Sequence, residues 1–172
     1  PITAWKRWCS YFRPLERFLR LTPKCVEKID DSHFLISYAG RVYNLDVHER
    51  KLKEEHRYCP MMNNPLFFSK LEGVQGFTDG ILYGEYPINI NRNPISIFRR
   101  TQDGIWEKVY TFNGNILHIH NIIPDKERGC VYILTGDENK ESGIWEASND
   151  FAVVKPVVIG AQMTTGLTTA KS

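Results

Sequence analysis

The sequence predicts an all-β fold, on three observations. From Pro23 onward, short runs of β-branched, aromatic and aliphatic residues alternate with turn residues. Helical periodicity is scarce over the same stretch. A strand-and-turn pattern also recurs at a fixed interval, which is the mark of repeat architectures. The 172 residues suffice for a real core, and an aromatic share of 12% favours packed sheets.

Residues 1–22 form an N-terminal basic amphipathic or capping segment. Trp5, Trp8, Phe12, Leu15 and Leu19 fall at spacings of three and four, which predicts one apolar helical stripe. Pro14 sits inside the stripe and ends or kinks a helix near Arg13. Lys6, Arg7, Arg13, Arg17 and Arg20 surround it. Two readings stay open: a cap laid over a sheet, or a basic segment lying on a membrane surface.

Residues 23–163 are read as blades. Strands are predicted at Phe34–Tyr38, Arg41–Asp46, Lys53–Tyr58, Ile81–Tyr86, Ile95–Arg99, Glu107–Phe112, Leu117–Ile123, Val131–Thr135, Gly143–Ala147 and Val153–Ile159. Ala39-Gly40, Gln102-Asp103-Gly104, Asn113-Gly114-Asn115 and Ser148-Asn149-Asp150 separate them. Residues 59–76 are the least regular part. Residues 164–172 are a small polar tail.

The repeat gives these strands an arrangement. The runs 80–85 and 130–137 are apolar strands that end in Gly plus a carboxylate, Gly84-Glu85 and Gly136-Asp137. Each is followed by an apolar strand, a hydroxyl residue, one residue and Asp: Thr101-Gln-Asp103 and Ser148-Asn-Asp150. The two Asp residues are 47 positions apart, within the roughly 40–50 residues of a four-stranded propeller blade. A weaker copy lies over residues 34–58. About three four-stranded antiparallel blades result, an incomplete ring, since a closed propeller needs at least about four.

Composition excludes some functions. A net charge of +2 carries no nucleic-acid signature. Cys9, Cys25, Cys59 and Cys130 form no CxxC pair, so reduced thiols are expected rather than a zinc ribbon. No apolar run is long enough for a transmembrane helix. With no visible signal segment or glycosylation acceptor, the expectation is a soluble protein of the bacterial cytoplasm.

Strand alternation sorts the polar residues onto two faces. In an antiparallel blade, the connections from second to third strand and from fourth strand to the next blade share one face. That face collects Glu85, His118, His120, Asp137 and Glu138; the Asp103 and Asp150 turns point to the other. His118 and His120, two apart on a strand, project to the same side. Three roles stay open for the pair: contact with a polar ligand, structural hydrogen bonding, or a metal site completed by Asp137 or Glu85. No cofactor is expected beyond such a divalent metal. Glu85 and Asp137 are the candidate catalytic pair, two carboxylates able to act as general acid and base. A hydroxyl two residues before Asp can close a turn through side-chain to backbone bonds. Thr101, Asp103, Ser148 and Asp150 are given that structural role, with Trp106 packing the hairpin.

These motifs resemble a family. Thr101-Gln-Asp103-Gly104-Ile-Trp106 is similar to the Asp-box of bacterial neuraminidase (BNR) repeats, Ser-x-Asp-x-Gly-x-Thr-Trp, shortened and lacking the Thr. Ser148-Asn-Asp150 resembles a further decayed copy. More specifically, residues 17–163 resemble the N-terminal half of uncharacterised bacterial sialidase-like β-propeller proteins, through 83–86, 107–112, 118–120, 135–138, 142–145 and 160–162. The resemblance implies a carbohydrate-related ligand and a glycoside hydrolase or polysaccharide lyase type of activity. It does not extend to sialidase catalysis, because no arginine triad matches; Arg99 and Arg100 lie on a third strand and Arg92 in a loop. The alternatives are a non-catalytic propeller scaffold for protein interaction and a truncated, inactive half-propeller. Expected partners are a glycan or other polar small ligand, and a second copy or partner chain that completes the ring.

Overall fold

The structure is a computed structural model that describes Pro23 and residues 25–59, 62–63, 65–137 and 141–160. The N-terminal segment, the polar tail and Glu138 lie outside the described residues.

The chain is all-β, with no helix among the described residues. Its strands are β1 (Cys25–Lys28), β2 (His33–Tyr38), β3 (Arg41–Asp46), β4 (Lys51–Arg57), β5 (Met62–Asn63), β6 (Ser69–Leu71) and β7 (Gly80–Gly84). Then follow β8 (Tyr86–Pro87), β9 (Ile95–Arg100), β10 (Trp106–Phe112), β11 (Ile119–Asp125), β12 (Cys130–Thr135), β13 (Gly143–Ser148) and β14 (Val153–Ile159). They make three four-stranded antiparallel sheets, ordered β1-β2-β3-β4, β6-β7-β9-β10 and β11-β12-β13-β14, with a two-stranded β5-β8 ribbon. None closes into a barrel, and each has the strand order of a propeller-like blade. Every predicted strand falls on an observed one, and β1, β5 and β6 add to them. The predicted strand 81–86 is broken at Glu85 into β7 and β8. No described helix is long and apolar enough to cross a membrane.

The chain divides into two compact units, residues 1–58 and 59–172. The first holds the β1–β4 sheet. Leu35, Ser37 and Val42 are fully buried in it, and the buried Tyr58 hydroxyl donates to Ser37 Oγ at 2.8 Å. Burial pushes the Tyr58 phenol well up, so it stays a neutral donor. Glu54 pairs with both Arg41 and Arg57 at the surface.

The second unit packs two sheets over one core of Leu71, Leu82, Ile95, Ile97, Phe112, Ile119, Val131, Ile133 and Phe151. On β12, which is buried on both faces, Val131 and Ile133 sit fully buried in that core. Each such branched side chain stabilises by roughly 1.5–3 kcal/mol. The far face of the β6-β7-β9-β10 sheet is aromatic: Tyr83 stacks on Phe98 with centroids 5.2 Å apart, and Trp106 tilts against Tyr83 at 5.3 Å. The sheets meet most closely where β11 starts. Ile119 N–H donates to the Glu85 carbonyl at 3.1 Å. A Cβ on Gly84 would overlap the Ile119 side chain, so only glycine lets the strands approach this far. The close approach brings the end of one sheet's second strand against the residue between the two histidines.

Candidate metal centre

The entry to β11 and the turn after β12 face each other because the strands pair antiparallel. Gly136 N–H donates to the His118 carbonyl at 3.0 Å, which closes the ladder and sets Asp137 opposite the histidines. The β11–β12 register shifts between Ile119 and Asn121, so His120 is the extra residue of a bulge. Bulges re-aim side chains, and this one leaves both His118 and His120 pointing at Asp137. Gly136 has φ +68°, and a Cβ there would strike the Glu141 main chain, so the turn requires glycine.

The three side chains converge. His118 Nε2 and His120 Nε2 are 2.9 Å apart. Asp137 places one carboxylate oxygen 3.1 Å from His118 Nε2 and the other 2.9 Å from His120 Nε2. The histidine side chains are 6% and 2% exposed, whereas Asp137 is 43% exposed, so among the described residues the group opens to solvent on the Asp137 side. Burial is the largest influence on His118 and lowers its pKa; the Asp137 carboxylate opposes that and His120 adds to it. His118 also hydrogen-bonds the main chain of Pro87. Proline has no N–H, so the carbonyl accepts. The Tyr86 ring packs on both imidazoles, 4.1 Å from His118 and 5.8 Å from His120 between centroids.

His118, His120 and Asp137 form a group able to hold a metal ion, each offering one ligand atom. Glu85 is not a member of it. Its main-chain carbonyl anchors Ile119, but its buried carboxylate accepts from Ser96 N–H at 2.7 Å. There it lines a cavity of about 250 Å³ with Cys59, Asn89 and Lys108. The two candidate carboxylates thus serve different surroundings. Cys25, Cys59 and Cys130 form no disulfide among the described residues, and Cys9 lies outside them. Burial pushes the Cys59 and Cys130 thiols up, away from nucleophilic character.

No family model matches the chain, and no curated protein matches it significantly. The site therefore stands on its own geometry.

The other rim of the same unit holds the two Asp turns. Thr101 closes its turn: Ile105 N–H donates to Thr101 Oγ1 at 3.2 Å, and Thr101 N–H to the Ile105 carbonyl at 2.8 Å. Asp103 is exposed there. Trp106 packs on Phe68 and Tyr83. Asp150 reaches away from its turn. It accepts from Thr78 N at 3.1 Å and Thr78 Oγ1 at 3.0 Å, and it pairs with Arg99. Ser148 ends β13 beside it.

Sequence reasoning did not find Tyr86, Pro87 or Glu141, and it set Arg92 aside as a loop residue. All four lie in or beside irregular connections, where no periodicity marks them; only the pairing of Gly84-Glu85 with Gly136-Asp137 hinted that the two loops share a rim.

Proposed function

We propose that this chain is a metal-binding protein, with His118, His120 and Asp137 holding one divalent transition-metal ion. The observation that carries the reading is the spacing of the donors. Two metal–ligand bonds of about 2.0–2.1 Å meeting near a right angle put their donor atoms about 2.9–3.0 Å apart. The contacts here are 2.9, 2.9 and 3.1 Å. Two imidazoles and one carboxylate on one side of an ion are the facial arrangement that leaves coordination positions open. The hydrogen bond between His118 and the Pro87 main chain supports it as well. Metal-ligating histidines are ordinarily held by such a carbonyl.

Open positions on the Asp137 side suit oxygen donors, such as a sugar hydroxyl or carboxylate. The bound ion would supply Lewis-acid polarisation of such a group. A carbohydrate-related ligand, and a hydrolase or lyase type of activity, enter here as part of this proposal. A metal-centred reading is supported over a two-carboxylate one, since Asp137 is engaged by both histidines and Glu85 by Ser96. A second copy or partner chain remains a further proposal, favoured by exposed Val153, Val157, Val158 and Ile159 on the edge strand β14. Lys155 and Pro156 in that strand would restrict open-ended pairing.

The test is titration of chelator-treated protein with Co²⁺ or Zn²⁺, read by calorimetry and melting temperature. One ion per chain is expected. At 100-fold excess over Kd the stabilisation is about 2.7 kcal/mol, a rise of roughly 5–10 °C for a chain of this size. His120→Ala should abolish both signals. Wild-type protein that takes up no ion, or a His120→Ala variant that binds equally well, would leave a hydrogen-bonded structural cluster.

A further inference from the structure

The metal ligands come from the β11–β14 sheet, yet nearly everything that orients them comes from the neighbouring one. The connection from β7 to β9 supplies the Glu85 carbonyl under Ile119, the Tyr86 ring on both imidazoles and the Pro87 carbonyl on His118. Asp137 is the remaining ligand, and it lies in a solvent-facing turn. The same connection reaches it through Arg92.

We propose that Arg92 is a positioning residue for the metal centre, its bond to Glu141 holding the Asp137 turn in ligating register. The inference rests on the metal-binding reading above. Arg92 Nε donates to Glu141 Oε1 at 2.6 Å, with the side chains 30% and 19% exposed. Arg92 Nη1 donates to the Asn89 carbonyl at 3.0 Å, so the guanidinium is gripped at both ends. Asn89 is buried and locks its own loop, donating to the Asn93 carbonyl at 2.9 Å and accepting from Asn93 N–H at 2.8 Å. The arginine is thus anchored to a rigid loop.

Glu141 lies against the end of β12. Its carbonyl accepts from Thr135 Oγ1 at 3.0 Å, and Trp145 Nε1 donates to the same hydroxyl at 3.0 Å. Its main chain also fills the space where a Gly136 Cβ would be. Any shift of Glu141 therefore presses on Gly136, whose N–H bonds the His118 carbonyl and whose next residue is Asp137. Arg92 itself sits at φ +52°, a left-handed conformation that is strained for a non-glycine residue. Glycine or asparagine would hold that turn at less cost, but neither reaches Glu141.

Outer partners of metal ligands typically change affinity 10–100-fold. Chelator-treated full-length chain, as wild type, Arg92→Ala and Arg92→Lys, would be titrated with Co²⁺. Affinity, the visible ligand-field spectrum and the metal-free melting temperature are read together. The expected result is about 10–100-fold weaker binding in Arg92→Ala, an altered Co²⁺ spectrum as the carboxylate donor is displaced, and partial rescue in Arg92→Lys. Glu141→Gln should weaken binding too, and it should add little to Arg92→Ala because the pair acts as a unit. Wild-type affinity and spectrum in Arg92→Ala would overturn the positioning role while leaving the metal site standing. A lowered metal-free melting temperature with an unchanged spectrum would overturn it as well, by making Arg92 a brace only. If the wild type takes up no Co²⁺, the metal-binding reading itself falls, and this role with it.

Discussion

The two rims of the larger unit use similar side chains to opposite ends. On one, Asp150 meets a cation that is already there: Arg99 pairs with it, and Thr78 donates twice. Arg99 is further held by Glu107, Nε to Oε1 at 2.7 Å. Donors and acceptors match, so the cluster is complete and braces the turn between β6 and β7 against the turn between β13 and β14. On the other rim, Asp137 meets the Nε2 atoms of His118 and His120. Two imidazoles and a carboxylate make up the group proposed above to hold a metal ion. The first network is given a stabilising role, and the second is the one proposed to bind. The Asp150 turn even tolerates three consecutive left-handed residues, Asn149, Asp150 and Phe151, at φ 51°, 52° and 68°. Burial of Phe151 against Phe77, at 5.3 Å between ring centroids, offsets part of that strain.

The largest expected effect lies on the closed rim. Asp150→Ala leaves the Arg99 guanidinium, 7% exposed, without its main partner. Breaking a buried pair costs about 3–5 kcal/mol. Asp150 is 34% exposed and Glu107 remains bonded, so about 2–3 kcal/mol is expected here. Thermal melting should fall by roughly 5–10 °C, with Co²⁺ affinity unchanged. A variant that lost metal binding as well would show that the two rims are not independent. The same residue sets an acid limb. Burial is the largest single influence on Asp150 and raises its pKa. The Arg99 bond and the Thr78 bonds together outweigh it and hold the carboxyl below its usual 3.8. A depressed folded-state value stabilises fully above the unfolded value and is lost as pH falls through the folded one. Asp150→Asn should therefore be the less stable protein near neutrality, with the difference narrowing below about pH 4.

The rims also show what the sequence could and could not reveal. Period-two alternation and the Gly-plus-carboxylate repeat were enough to assign Asp137 and Asp150 to opposite ends of their strands, because strand direction is set by antiparallel order alone. They also placed His118 and His120 on one side, although the bulge at His120 that aims the ring was not visible. β1 and β6 were missed for a physical reason. Cys25–Lys28 alternates half-buried and exposed with two charged residues, and Ser69–Leu71 is three residues long. Each is a strand because a neighbour pairs with it, not through its own propensity. Glu85 was grouped with Asp137 by the repeat, but the strand breaks at Glu85 and its carboxylate turns to Ser96. Repeats fix backbone position well; where a side chain points after a break in the ladder is decided by whichever donor lies nearest.

The smallest effect sharpens the comparison most. Asp103 and Asp150 occupy equivalent places in the repeat, and by sequence alone they should matter equally. In the structure Asp103 is exposed, with no hydrogen-bond partner among the described residues, and its turn is closed by Thr101 instead. Asp103→Ala should therefore change stability by no more than about 0.5 kcal/mol, the range of surface substitutions away from special features. Thr101→Ala removes the acceptor for Ile105 N–H and should cost about 0.5–1 kcal/mol, since the exposed donor can turn to water. Urea denaturation of the two single variants beside Asp150→Ala measures the series. The predicted order is Asp150 far above Thr101, and Thr101 above Asp103. Equal losses for Asp103→Ala and Asp150→Ala would mean that the repeat position itself stabilises the hairpin. The order predicted here instead assigns the stabilisation to the Arg99 and Thr78 contacts that only Asp150 makes.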